Sequence, residues 1–296
     1  MKLSANKLFV SAFRSVFYNS KFVILLWALS AITSLVITMP LYHIMLDSLG
    51  NSFLSDKLAS GMDMLWLTQF LNIHDKQLDG ILFLFFAAMI AYLVIQNFFS
   101  GGLIAIFNSP KKNHILDFFY GCVKFWFRFL KVLLISIFFY GAAFLLNELL
   151  GNLISIGFAN SENAMMEFIL KGVKYILLIF LIGLTAIIAD YAKVIMVSRD
   201  GTSAFQSIFI AIIFIKDSFN TSFSIFVAIS IIGALGAIVY NLIGRFIPST
   251  PYYFMILTFI LQQMLIIFRL LIRMFFYSSE VLIFNDMTAE VIEQNL

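Results

Sequence analysis

Of the 296 residues, 62% are apolar or aromatic and only 12% are charged, whereas an ordinary soluble domain is about a quarter charged. Such a chain cannot cover a water-facing globule, so lipid must be the solvent for much of it. A net charge of +3 gives no footprint for nucleic acid, and one cysteine (Cys122) with three scattered histidines (His43, His74, His114) excludes an internal disulfide and a cysteine/histidine metal cluster.

The first eighteen residues carry Lys2, Lys7 and Arg14, yet no small-residue cleavage site closes the apolar run that follows. Phe9, Phe13 and Phe17 recur every fourth residue, which predicts an amphipathic helix lying on the membrane surface. A helix needs about 20 apolar residues to cross a hydrocarbon core. Six stretches qualify, at about 22–46, 80–107, 125–147, 168–197, 220–244 and 252–283. The second, fourth and sixth exceed the requirement, so each is expected to tilt or protrude. The loop 47–79 carries Trp66, Leu65 and Leu67, which suit short helices on a leaflet, with Gly50-Asn51 and Gly61 as punctuation. All four prolines (Pro40, Pro110, Pro248, Pro251) are read as lying near span ends or connections. That placement argues against the broken helices of alternating-access transporters.

Basic residues set the orientation. Lys2, Lys7, Arg14 and Lys21 stand before the first span, and Lys111, Lys112, Lys124, Arg128 and Lys131 mark the second-to-third connection. The first-to-second connection instead holds Asp47, Asp56, Asp63, Asp75 and Asp79 against Lys57 and Lys76. Both termini are therefore expected to face the cytoplasm.

One cadence occurs three times: Ser100–Ser109 (SGGLIAIFNS), Tyr191–Asp200 (YAKVIMVSRD) and Tyr277–Asp286 (YSSEVLIFND). Each ends a long apolar stretch with small or polar residues, an apolar run, and an Asn, Ser or Asp cap. Aromatic runs precede the odd spans as well: Asn113–Phe127 before the third, and Ser203–Asp217, with Thr202 or Ser203 as N-cap, before the fifth. The expected fold is an all-α integral membrane protein, one membrane domain over 1–296. Its six transmembrane helices form three hairpins, each preceded by a cytoplasmic interfacial amphipathic helix. The repeat units are 1–107, 108–200 and 201–296, the last ending in an acidic tail.

FFSGGLIAIFNS, DFFYGCVKFWF and DYAKVIMVSRDGTSAFQS together resemble a broad group of uncharacterised six-span prokaryotic membrane proteins. That group includes the membrane domain attached to some glycerophosphodiester phosphodiesterases. The likeness rests on Gly101-Gly102, on Phe118 and Phe119 with Gly121, and on Asp190-Tyr191. It implies a six-span fold in a prokaryotic plasma (inner) membrane, and it carries over no phosphodiesterase activity, because the chain has no room for a catalytic barrel.

Ionisable groups at membrane depth are functional candidates because burying them is costly. Asn97, Asp190, Arg269 and Arg273 form the candidate polar cluster, and the repeat alignment puts Asp190 within about one helical turn in depth of Arg273. A locking pair, a snorkelling arginine, a substrate or ion site and a proton-coupled role all remain open. Gly101, Gly102, Gly183, Gly233 and Ala237 fall on small-residue stripes suited to close helix packing. The competing reading of these stripes is a polar pathway through Asn97, Asp190, Asn241 and Gln262/Gln263. Lys111, Lys112, Lys124, Arg128 and Lys131 beside Phe118, Phe119, Phe125, Trp126 and Phe127 make a basic-aromatic surface for anionic headgroups.

No GxSxG, HExxH or Walker A run is present, so no catalytic residue, metal or cofactor is expected. The leading expectation is a non-enzymatic accessory or scaffold subunit of a membrane assembly. The alternative is a transporter or permease for a lipid or small apolar solute. The expected partners are membrane lipids, with other membrane proteins or a second copy of the chain as further candidates, and no nucleic acid.

Overall fold

The structure is a computed structural model that describes residues 5–50, 54, 58, 63–109, 115–158, 163–200, 203–248 and 253–294. Among the described residues all regular structure is helical, in the order α1 (Ala5–Tyr18), α2 (Lys21–Leu49), α3 (Met64–Ile73), α4 (Asp75–Asn108), α5 (Ile115–Gly157), α6 (Ala164–Ser198), α7 (Ala204–Asp217), α8 (Phe219–Phe246) and α9 (Tyr253–Gln294). Six of these, α2, α4, α5, α6, α8 and α9, are long and apolar enough to cross a membrane. The protein is therefore a multi-pass, all-α membrane protein.

Local chemistry explains several helix ends. Gly50 takes φ +50 after α2, a conformation that costs glycine little. Asp63 caps α3 by accepting from the backbone N–H of Leu65 and Trp66, Asn163 caps α6 through Met166 N, and Ser203 caps α7 through Gln206 N at 3.3 Å. Of the two N-cap candidates for α7, Ser203 makes the bond, while Thr202 lies outside the described residues.

Two expectations are corrected. The aromatic run before the third span is not a separate elbow: Ile115–Gly157 is one helix of 43 residues, about 64 Å long. Gly121 does not break it, because the absent side chain is what lets α4 approach. Pro40 lies inside α2 rather than near its end. The acidic tail is itself helical, since α9 continues to Gln294. In α1 the buried stripe is Leu8, Ala12 and Val16, while Phe13 and Phe17 point outward.

The chain divides into two compact units. The first comprises residues 1–10, 97–226 and 277–296. It contains all of α5, α6 and α7, the C-terminal ends of α4 and α9 and the start of α8, and it holds all three copies of the cadence. The copies supply much of its core: Leu103, Ile104 and Ile106 from the first, Tyr191, Ala192, Val194, Ile195 and Met196 from the second, Tyr277, Val281, Ile283 and Phe284 from the third.

The second unit comprises residues 11–96 and 227–276. Here Trp27 Nε1 donates to Gln263 Oε1 at 2.8 Å, Ser30 and Tyr92 share a hydroxyl bond of 3.1 Å, and Gly236 leaves room for the Phe268 ring between α8 and α9.

Candidate functional site

The small residues of the first cadence set how closely α4 and α5 pack. A Cβ placed on Gly102 would lie 2.6 Å from both Cys122 Sγ and the Phe118 carbonyl oxygen, and one on Gly121 would lie 2.7 Å from Ala105 Cβ. Gly101 faces Gly121 O at 3.1 Å by the same measure. Gly183 and Gly233 sit in ordinary contact, their nearest neighbours being Phe226 at 3.7 Å and Ile272 at 3.5 Å. Ala237 offers its carbonyl to Asn241 Nδ2 at 2.9 Å. Asn241 thus bonds its own helix and Gln263 bonds Trp27.

Beyond the glycines, the ends of the three cadences meet on one side chain. Asn108 Oδ1 accepts from Asn285 Nδ2 at 3.1 Å and from Ser198 Oγ at 3.4 Å. One helical turn or more inside this join lies a set of buried polar groups. The Tyr191 hydroxyl donates to Ser222 Oγ at 3.1 Å, and Ser222 shares a bond of 3.2 Å with Ser218. The Tyr191 ring rests against Phe214 at 5.1 Å, and Phe214 in turn meets Phe284 at 5.3 Å. Four helices, α6 to α9, are tied at this level.

The charged members come from two cadences. Asp190 Oδ1 takes Lys193 Nζ at 3.2 Å, on its own helix. Glu280, only 4% exposed, has an Oε2 with no hydrogen-bond partner among the described residues, and Asp190 and Lys193 are the charges that act on it. Two carboxyl groups thus act on one ammonium, Glu280 buried and Asp190 half-buried. The set has groups that can hold charge.

Arg269 and Arg273 stand on the part of α9 in the second unit, Arg269 exposed and Arg273 half-buried. Asn97 is 2% exposed, and neither atom of its amide has a partner among the described residues.

At the start of α5, Lys124 Nζ bonds Asp200 at 2.5 Å and Arg128 follows at 3.3 Å. The Lys124 ammonium holds the Asp200 carboxyl below the usual carboxylate range. Lys131 is exposed. Lys111 and Lys112 lie outside the described residues.

Between α5, α6 and α7 lies a cavity of about 330 Å³, lined by Ser136, Phe139, Ala143, Leu184, Ile188 and Ile212 among others. Its two hydroxyls bond their own helices, Ser136 to Val132 O and Thr185 to Leu181 O. The remaining lining is apolar.

Glu280 went unread in the sequence because it stands in a span-end run, YSSEVLIFND. The signal was in the repeat itself: Lys193 is third in its copy and Glu280 fourth in its own, and opposite charges at adjacent positions are what a contact between copies would use. Comparison of the chain with family models, with curated proteins and with solved structures finds no match.

Proposed function

We propose that this is a non-enzymatic protein of a prokaryotic inner membrane, both termini in the cytoplasm, serving as an accessory or scaffold subunit of a membrane assembly. The observation that carries this reading is how the polar side chains are used. Asn108 joins the ends of α6 and α9, Gln263 holds Trp27, and Asn241 bonds its own helix. Asn108 and Gln263 thus hold helices together, and Asn241 is engaged within its own helix. The orientation is supported by Lys2, Lys7, Arg14 and Lys21 before the first span and by Lys124, Arg128 and Lys131 at the start of α5. Kinship with the membrane domain attached to some glycerophosphodiester phosphodiesterases belongs to the same proposal. Its support is that Gly101, Gly102 and Gly121, which carry the likeness, are where α4 and α5 come closest.

Purification in mild detergent, with mass spectrometry of what accompanies the chain, tests the reading. A reproducible membrane-protein partner at fixed ratio is the expected result. Recovery of the chain alone from its native membrane counts against it.

Two observations favour the second reading, a permease for a lipid or small apolar solute. The cavity between α5, α6 and α7 is of a size that holds one small apolar ligand, and Pro40, inside the continuous α2, removes one backbone hydrogen-bond donor there. Movement of a fluorescent lipid across proteoliposomes faster than across empty ones would select this reading over the first.

A further inference from the structure

The cavity and the basic start of α5 lie on one face of one helix. Lys124, Arg128, Lys131, Ile135, Phe139, Ala142 and Leu146 follow at steps of three and four residues, the spacing that keeps side chains in a single stripe. The stripe opens with three cations and passes into cavity-lining residues. From Lys131 to Ser136 is about 7.5 Å along the axis, and from Arg128 to Ser136 about 12 Å. The opposite wall runs in register: Ala189 and Leu181 of α6 line the same cavity, and Asp200, beyond the end of that helix, reaches back to Lys124 and Arg128. Charged rim and apolar cavity therefore follow one another along one face of α5.

We infer that this face binds one anionic membrane phospholipid, its headgroup phosphate on Lys131 and Arg128 and one acyl chain between α5, α6 and α7. The inference rests on the inner-membrane placement proposed above and adds to it a site and a lipid class. Three features carry it. The lining offers an acyl chain no competing polar group, since Ser136 and Thr185 are satisfied by their own backbones. The cavity is open along one side, where Phe139 is 43%, Leu146 45% and Ile212 42% exposed, so a chain can enter sideways from the bilayer. Charge complementarity selects the headgroup: Lys124, Arg128 and Lys131 outnumber Asp200, and Lys131 has no partner among the described residues. The bonds from Asp200 are exposed and weak, so a phosphate can take Arg128 as a fork while Asp200 keeps Lys124. Asp117, two turns further from the cavity, has interactions of its own.

The test uses the full-length protein in nanodiscs of equal phosphatidylglycerol and phosphatidylcholine, mildly delipidated and weighed by native mass spectrometry. Wild type is expected to retain one phosphatidylglycerol in preference to phosphatidylcholine. The preference should fall about fivefold for each cation removed in Lys131→Gln and Arg128→Gln. Ala142→Phe, which projects a ring into the open cavity from an exposed position, should release the lipid of either class. Equal retention of the two lipids by wild type, which requires no variant to fold, overturns the inference. So does full retention of phosphatidylglycerol by Ala142→Phe. Absence of a protein partner removes the scaffold reading alone, because lipid retention is read on the isolated chain.

Discussion

Asn285 donates its side-chain amide to Asn108 Oδ1 at 3.1 Å, across 177 residues of chain, and the two are the ninth residues of their respective cadences. Ser198, eighth in the remaining copy, donates to the same oxygen at 3.4 Å. The three cadence ends thus meet on one acceptor, two through their ninth residues and one through its eighth. Asn108→Ala removes the acceptor of both bonds, each worth about 1 kcal/mol net. For a chain of this size that corresponds to a melting temperature lower by about 4 °C in detergent. Asn285→Ala should cost about half as much. In the double variant the losses should fall short of additive, and strict additivity would show that the two side chains do not interact.

Gly102 has no space for any side chain, with the Phe118 carbonyl and Cys122 Sγ each 2.6 Å from where a Cβ would sit. Backbone cannot yield as a flexible side chain does, so Gly102→Val should separate α4 from α5 and lower the yield of monodisperse protein severely. Gly183, whose nearest neighbour is Phe226 at 3.7 Å, should accept alanine with little change. Size-exclusion profiles and melting curves of the two variants, side by side, would show whether the small-residue stripes contribute equally or only where helices come closest.

Spans were legible because lipid makes a demand that composition alone can meet: about 20 apolar residues without a charge. The join of the three cadences was legible only as a recurrence. Where the copies would touch depends on side chains such as Asn108, which looks like an ordinary helix cap in sequence. The second elbow was misread because the aromatic run 113–127 and the span after it share helical periodicity, and no proline separates them. Pro40 was placed near a span end because the apolar stretch fades at about residue 46, yet α2 runs on to Leu49. Lys193 and Glu280 belong to separate stretches of sequence, and only tertiary packing makes them neighbours.

Asp200 gives a pH dependence with a definite sign. Its carboxyl is held below the usual range by Lys124, so its contribution to stability is fully present above the unfolded carboxylate value of about 4. That contribution is lost as pH falls through the lower, folded value. The difference in melting temperature between wild type and Asp200→Asn should therefore be flat from pH 8 to pH 5 and close only under more acid conditions. A difference that vanishes already near pH 6 would mean that a histidine or another group, not Asp200, responds.

The cluster of Asp190, Lys193 and Glu280 holds two carboxyl groups against one ammonium, and the consequence differs for each member. Lys193→Met leaves the half-buried Asp190 and the buried Glu280 without the ammonium, so it should lower the melting temperature by several degrees. Glu280→Gln keeps the shape of the side chain and removes a buried ionisable group that faces Asp190, so it should leave the melting temperature unchanged or raise it. Asp190→Asn should fall between them, since Lys193 loses its partner at 3.2 Å but retains Glu280. Melting curves of the three variants at one pH rank them directly. If Glu280→Gln proved as damaging as Lys193→Met, the ammonium would be held chiefly by Glu280, and the contact between the second and third cadences would be an ion pair in its own right.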